Sequence, residues 1–406
     1  MDTTPILNAL KAGDFHRALV LFWLWFRHDN NSFGSAEEVT IDEPGGHCKA
    51  VRKAGIALDL NQPLRLQHLL QQHALAVLEA LDNYLWIAYG PISRRTPASR
   101  IEIGGEGFMV HRRVVTQQPA HVSKSGHLRK WLKHHWIIPE HQHGYTIQRL
   151  SANSAISLPC NELRAEGQLK IYAKSFPDQV QPAWLDQQPP AWSAFELTDA
   201  KKRWQGVLSA LEDAARQNAH IVIFPELTLP PDLQNQVSAW LDEHSNHPFV
   251  LVLPGTFHAQ VENTVYNECA LFDRHGNPVL HHRKLTRVNQ DDRPEKITTG
   301  ECVQLLDTPI GLIGMPICLD FCEEDHPFGE IWRDLGVEWL LVPAFGGVSS
   351  LSAHKRKADM VRRAHDTVSV IANQHPKGED GAHGFVRHEK IEELSSEKRW
   401  VVVRIK

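Results

Sequence analysis

From Leu169 onward, short apolar runs alternate with amphipathic stretches, and this alternation limits the fold more than any other feature of the chain. LKIYAK (169–174), HIVIF (220–224), FVLVLPG (249–255), ECALFD (268–273), GLIGMPI (311–317) and EWLLVPA (338–344) each read as a strand. The first is followed by a Pro-rich loop, PDQVQPAWLDQQPPAW. Thr198 or Asp199 then caps a helix whose Trp204, Val207, Leu208, Leu211 and Ala215 form one apolar face. A further helix is expected over His326 to Leu335. Strands alternating with helices predict a layered α/β fold. The turn His275-Gly276-Asn277-Pro278 adds a hairpin, so the sheet is expected to be mixed.

The first 165 or so residues read differently. Pro5 to Phe26 carries helical periodicity, as does Pro63 to Tyr89, where Leu66, Leu69, Leu70, Ala74, Val77, Leu78, Leu81 and Leu85 line one face. Short strands are expected at Ile101–Ile103 and Phe108–Val115. The segment LSANSAISLPCNELRAEG (150–167) is polar and rich in turn residues, which predicts a junction there. The division expected is therefore 1–165, mainly helical or α+β, and 166–406, α/β; at 406 residues more than one domain is the prior.

Composition is that of a globular chain, 42% hydrophobic and 22% charged, with net charge −5. The start lacks a basic segment ahead of an apolar one, and the run Ala18 to Phe26 is too short to span a bilayer, so neither a leader nor a membrane helix is expected. Six cysteines without regular spacing do not suggest a disulfide framework, and a reduced, cytoplasmic setting is the expectation. His134, His135, His141 and His143 invite a metal reading, with Cys48 or Cys160 completing a set. The spacing fits no zinc motif, and solvated or capping histidines are the expectation.

Three residues stand where ligands collect in layered α/β folds, at or just past strand ends: Glu226 after HIVIF, Lys284 after VLHHR and Cys318 after GLIGMPI. Each has a plain alternative, respectively a solvated turn carboxylate, a surface charge and a small buried hydrophobe. Together an acid, an ammonium and a thiol are the ingredients of thiol acyl transfer.

Their order and surroundings resemble the nitrilase, or carbon–nitrogen hydrolase, superfamily. The likeness lies in LEDAARQNAHIVIFPELTLP (211–230), NTVYNECALFDRHGNPVLHHRKL (263–285), GLIGMPICLD (311–320) and RRAHDTVSVIANQ (362–374), with WVVVRIK as a closing strand, and covers about 60% of the chain. The resemblance implies a four-layer α-β-β-α sandwich with mixed sheets. It also implies a Cys318-Glu226-Lys284 triad forming a thioester, with the Leu319 N–H as oxyanion donor, no metal or organic cofactor, and a dimer-based homo-oligomer. A second family glutamate matches Glu295, with Glu301 weaker. Asp320, Phe321, Phe345 and Asn267 are the substrate-pocket candidates. Cys322 is an alternative nucleophile, though it lies past the strand end.

The chain departs from the family's amidases after the nucleophile, where Cys-Leu-Asp-Phe-Cys-Glu-Glu-Asp replaces Cys-Tyr-Asp and a following Pro-Glu. Cys-x-Asp still resembles the amidases more than the true nitrilases, whose nucleophile is commonly followed by Trp-Glu, so a small or medium amide is the expected substrate. Before it, Arg94, Arg95, Arg100, Arg112, Arg113, Lys124, Arg129, Lys130 and Lys133 face only Glu102 and Glu106. Such a stretch, with Arg112, Arg113, Arg129 and Lys130 at its centre, could meet nucleic acid or a nucleotide, but a solvated face, or one that docks on an acidic region of the same chain, is the expectation. An alternative to the hydrolase is thus a binding or regulatory protein in a nucleic-acid-linked or defence assembly.

Overall fold

The structure, a computed structural model, describes residues 3–28, 70, 77–86, 100–114, 132, 134–176, 180–185, 190–290, 292–323, 327–375 and 383–405. It divides into two compact units, Met1–His141 and Gln142–Lys406.

In the first unit the single expected helix at the start is two, α1 (Thr4–Lys11) and α2 (Phe15–His28). The break falls at Gly13, whose φ of 73° suits glycine, and Asp14 restarts the helix by accepting from the Arg17 N–H at 3.1 Å. Residues 77–86 are helical and bury Val77, Leu78, Leu81 and Leu85, the stripe read from the sequence. An antiparallel sheet joins β1 (Arg100–Ile103), β2 (Glu106–Arg112) and β3 (His135–Pro139). Asp82, fully buried, accepts from the backbone N–H groups of His134 and His135 at 2.9 and 3.0 Å. One carboxylate thereby ties the helix to the start of β3.

The second unit begins with β4 (Tyr145–Ser151) and α3 (Ser154–Glu166), both placed by sequence on the other side of the junction. The polar residues that read as turn signals are helix caps. Asn153 accepts from the Ile156 N–H, and Gly167, at φ 74°, closes the helix in the left-handed region.

A first mixed sheet follows, built from β5 (Gln168–Ala173), β8 (Ile221–Ile223), β9 (Leu251–Leu253), β10 (Phe257–Val261), β11 (Thr264–Asp273), β12 (Pro278–Arg283) and β19 (Trp400–Arg404). Its order is β10-β11-β9-β8-β5-β19, with β12 antiparallel on β11. Where a Pro-rich loop was expected there is instead an antiparallel hairpin, β6 (Val180–Leu185) with β7 (Ala191–Leu197). Pro182 sits at a shift in the pairing register, where a strand tolerates the missing donor.

A second mixed sheet runs β18-β17-β16-β15-β14-β13-β4. Its further strands are β13 (Cys302–Thr308), β14 (Gly311–Gly314), β15 (Trp339–Phe345), β16 (Val368–Gln374), β17 (Gly384–Arg387) and β18 (Ile391–Glu393). β4 and β13 pair in parallel over six residues, which is why the unit starts before residue 166.

Helices α4 (Ala200–Arg216) and α5 (Pro231–Glu243) cover the first sheet. Their Val207, Leu211, Val237 and Leu241 pack against Tyr172, Val222, Phe224 and Val252 in one core. The intervening strand residues Ile171, Ile221, Ile223 and Leu251 are equally buried, so the opposite face is covered too. On the far side α6 (Leu319–Cys322), α7 (Pro327–Asp334) and α8 (Val348–His365) pack together, with α8 over β16 and β17. The expected four-layer α/β architecture is present. The layers meet at the strand ends: the Phe176 N–H donates to Gln374 Oε1 at 2.9 Å and the Glu226 N–H to the Ala344 carbonyl at 3.3 Å.

Candidate active site

Glu226 stands three residues past β8, held by a turn that needs a close backbone approach. Gly255 has φ 83°, and a Cβ there would lie 2.2 Å from the Pro225 carbonyl oxygen. Thr256 then accepts from the Leu227 N–H through its hydroxyl. Lys284 follows β12, its N–H donating to the Asn267 carbonyl at 2.8 Å. Cys318 follows β14 at φ 46°, a strained value for a side-chain-bearing residue, and its N–H donates to the Pro343 carbonyl at 2.9 Å. Its thiol lies 3.6 Å from the Phe345 carbonyl oxygen.

Four of the expected residues converge. The buried Lys284 ammonium donates to Glu226 Oε1 at 2.7 Å and to Glu295 Oε2 at 2.9 Å. Asn267 Nδ2 bridges the same two carboxylates, 2.9 Å from Glu226 Oε1 and 3.1 Å from Glu295 Oε1. Asn267 was expected to line the substrate pocket; its Nδ2 is committed to the glutamates, while its buried Oδ1 has no hydrogen-bond partner among the described residues. Glu295, not Glu301, joins the cluster.

The two glutamates differ in what they have left. Glu295 also accepts from His258 Nε2 at 2.8 Å and from the Val288 N–H at 3.1 Å. Its two oxygens take two hydrogen bonds each, which fills a carboxylate's acceptor sites. Glu226 receives both its donors, Lys284 and Asn267, on Oε1, and its carboxylate bears directly on the Cys318 thiol. Only Glu226 has an oxygen to spare for a proton.

Electrostatics follow from this packing. Burial works against any charge here, yet the Glu226 and Glu295 carboxylates hold Lys284 well above the ordinary lysine range. Burial likewise opposes ionisation of Glu295, but the Lys284 charge and the His258 hydrogen bond bring it down to about 2. Burial and the Glu226 carboxylate push the Cys318 thiol well up, so the resting sulfur is neutral.

The other candidates fall elsewhere. Asp320 is fully buried: Oδ1 accepts from the Leu285 and Thr286 N–H groups at 2.9 and 3.0 Å, and Oδ2 lies 3.2 Å from His282 Nε2 and 3.3 Å from the Ile317 N. It clips the Cys318 turn to the Lys284 strand rather than lining a pocket. Phe321 is buried beside His354, and Phe345 packs against the cluster of Trp192, Ala194, Leu227 and Phe257. Leu319 opens α6 directly after the thiol.

In the basic stretch, Arg112 stacks over Trp86 at 4.0 Å and Arg113 is buried, whereas Arg100 stays exposed and pairs with Glu140 at the surface. Arg129 and Lys130 lie outside the described residues. Of the histidines expected to be solvated or capping, His141 is exposed, whereas His134 pairs with Asn83, His135 with Asp82 and His143 with Asp334. Among the described residues no group of three or more His, Cys, Asp or Glu side chains is arranged around a metal position, and no helix is long and apolar enough to cross a membrane.

His258 was missed by sequence. It is one histidine among 25, and its only signal is an inward position on the strand FHAQV.

A buried thiol on a strained strand-end turn, facing a carboxylate that is itself paired to an ammonium, defines a candidate thiol acyl-transfer site in an α/β sandwich. The profile of the carbon-nitrogen hydrolase family matches residues 182–350 of the chain. The chloroplastic omega-amidase of Arabidopsis thaliana is 26% identical over 244 residues, 52% of this chain and 65% of that protein. Omega-amidase NIT2 of Mus musculus is 26% identical over 195 residues, 43% of this chain and 68% of that protein. An amidase from Nesterenkonia sp. matches in structure at a TM-score of 0.44 with 15% identity, covering 59% of this chain and 89% of its own. Saccharomyces cerevisiae Nit3, of the nitrilase superfamily, does so at 0.43 with 16% identity, covering 59% and 90%.

Proposed function

We propose that the protein hydrolyses the C–N bond of a small or medium amide through Cys318, Glu226 and Lys284. The observation that carries this reading is the spare acceptor of Glu226 at a neutral, buried thiol beside a permanently charged lysine.

A thiol held neutral needs a base at the moment of attack. Glu226 takes the Cys318 proton as the sulfur adds to the carbonyl carbon. The Lys284 ammonium, with the Leu319 N–H, holds the oxyanion; one such donor is typically worth about 2.7–4 kcal/mol. Glu226 returns the proton to the departing ammonia or amine, which leaves a thioester on Cys318. Water, deprotonated by Glu226, adds to the thioester; the carboxylic acid departs as the C–S bond breaks, and Glu226 returns the proton to the Cys318 sulfur. Glu295 was expected to orient the amide or the water. With its acceptor sites filled, its part in this reading is to keep Lys284 charged and in place.

Support for an amide rather than a nitrile comes from the Cys-Leu-Asp sequence and from the relatives named omega-amidases. Assembly as a dimer-based homo-oligomer and a cytoplasmic setting belong to the same reading. The nucleic-acid alternative loses part of its support because Arg112 is stacked on Trp86 and Arg113 is buried.

Intact-mass analysis of the protein incubated with an amide panel that includes ω-amides tests the chemistry. An acyl adduct on Cys318, absent in Cys318→Ala, together with loss of turnover in that variant, is the expected result. Undiminished hydrolysis by folded Cys318→Ala would overturn it.

A further inference from the structure

His258 holds the second carboxylate of the site, and its own orientation is fixed from the far side of the ring. The Ala194 N–H donates to its Nδ1 at 2.8 Å. A ring nitrogen that accepts a backbone N–H carries no proton, so in the neutral ring the hydrogen is on Nε2, which lies 2.8 Å from Glu295 Oε1. The side chain is buried completely, with the Trp192 ring 5.4 Å from it and tilted 31°, and the Phe195 ring edge-on at 6.4 Å.

Ala194, Trp192 and Phe195 all belong to β7, half of the hairpin that the sequence disguised as a Pro-rich loop. The same strand reaches Glu295 by a second route: the Trp192 carbonyl accepts from the Lys296 N–H at 2.8 Å. The hairpin therefore grips Glu295 twice, through the backbone beside it and through the imidazole.

We propose that His258 is a positioning residue for the reaction, acting through Glu295. By donating from Nε2 it keeps Glu295 an anion with its other oxygen turned to Lys284, and so keeps the Lys284 ammonium beside Cys318 and Glu226. The hairpin β6–β7 is the element that sets the imidazole. The inference rests on the amide-hydrolase reading for its kinetic consequence, but not for the state of the ring.

The charged and titratable groups that face Glu295 are Lys284 from the end of β12 and His258 from β10, with Glu226 and Cys318 reached through Lys284. Losing the imidazole donor removes a hydrogen bond that favours the carboxylate form, so Glu295 then takes up its proton at higher pH.

Two measurements on the full chain decide it. In the first, His258→Ala and His258→Gln are compared with wild type on whichever amide of the panel is turned over. His258→Ala is expected to lower kcat by about 10–100-fold, the cost typical of a displaced catalytic group, with KM little changed. The acid limb of its kcat/KM profile moves to higher pH. His258→Gln keeps an N–H donor at the Nε2 position and recovers most of kcat. A folded His258→Ala with wild-type kcat and an unmoved acid limb would overturn the proposal. So would a loss of thermal stability in both variants without a change in the pH profile, which marks a purely structural histidine.

The second measurement needs no turnover. Nitrogen-15 imidazole spectra at pH 7, with His258 assigned by its disappearance in His258→Gln, should show the neutral Nε2–H tautomer. An Nδ1–H tautomer or an imidazolium sinks the inference even in an active enzyme. The expected tautomer in a protein that turns over no amide would fault the hydrolase reading alone.

Discussion

At the scale of single residues, the site is a charge balance: one ammonium between two carboxylates, all buried, with a neutral thiol beside them. Two substitutions separate the glutamates. Glu226→Gln keeps an oxygen for Lys284 and Asn267 but loses the base, so kcat should fall by about 10²–10⁴-fold, the usual worth of a positioned base, while thermal stability stays near wild type. Lys284→Met takes away the ammonium that both buried carboxylates share, leaving Asn267 to Glu226, and Asn267, His258 and the Val288 N–H to Glu295. Breaking a buried pair in this way typically costs about 3–5 kcal/mol, measurable by urea denaturation at pH 7. The pH dependence should also reverse. In wild type, Glu295 is depressed to about 2 from an ordinary 4.5, so its contribution is present above pH 4.5 and fades as pH falls toward 2. In Lys284→Met the largest charge opposing the burial of Glu295 is gone, so Glu295 titrates above its unfolded value and that variant should gain stability as pH falls from 7 toward 4. Parallel stability profiles for the two proteins would contradict the charge balance.

At the scale of elements, the nucleophile turn and the lysine strand are joined by Asp320, which accepts from the backbone of Leu285 and Thr286 on one side and of Ile317 on the other. Asp320→Asn retains one oxygen for Leu285 and Thr286 but turns an NH2 toward the Ile317 N–H. The expected outcome is a cost of about 1–3 kcal/mol, as for an unmet buried donor, and a lower kcat with KM little changed. Denaturant titration and steady-state kinetics check the two parts. This role was hidden in the sequence because Cys-x-Asp at a strand end reads equally as a pocket wall. Glu226, Lys284 and Cys318 were legible because each stands at or just past a strand end, where few structural reasons call for an acid, an ammonium and a thiol together. Glu295 was legible only through the family resemblance. His258 and the hairpin that sets it were not legible: a lone histidine on an inward strand position carries no chemical signature, and Pro182, Pro189 and Pro190 argue against strands until the register shift at Pro182 is seen.

At the scale of the whole chain, the layered α/β part was readable from alternating strands and helices, whereas its beginning was not. The reason is that β4 and α3 announce themselves with polar caps, and their partner β13 lies about 150 residues further on, too remote for any local pattern. Where the unit starts has a direct consequence for stability. A piece cut at Glu166 would strip β13 of a parallel partner along six residues and uncover one edge of its sheet. It would also remove the buried side chains of Ile147, Ile156, Cys160 and Leu163, and the Asn153 amide that donates to Asp273 Oδ2 at 3.1 Å beside the β11–β12 turn. Burying an aliphatic side chain is worth about 1.5–3 kcal/mol, and a domain of this kind has only about 5–15 kcal/mol in all. The piece Gln142–Lys406 should therefore give a single cooperative urea transition. The piece Glu166–Lys406 should be aggregated or unfolded, with its exposed strand edge as the cause. Equal solubility and equal midpoints for the two would show that β4 and α3 are dispensable, and would move the start of the unit back toward residue 166.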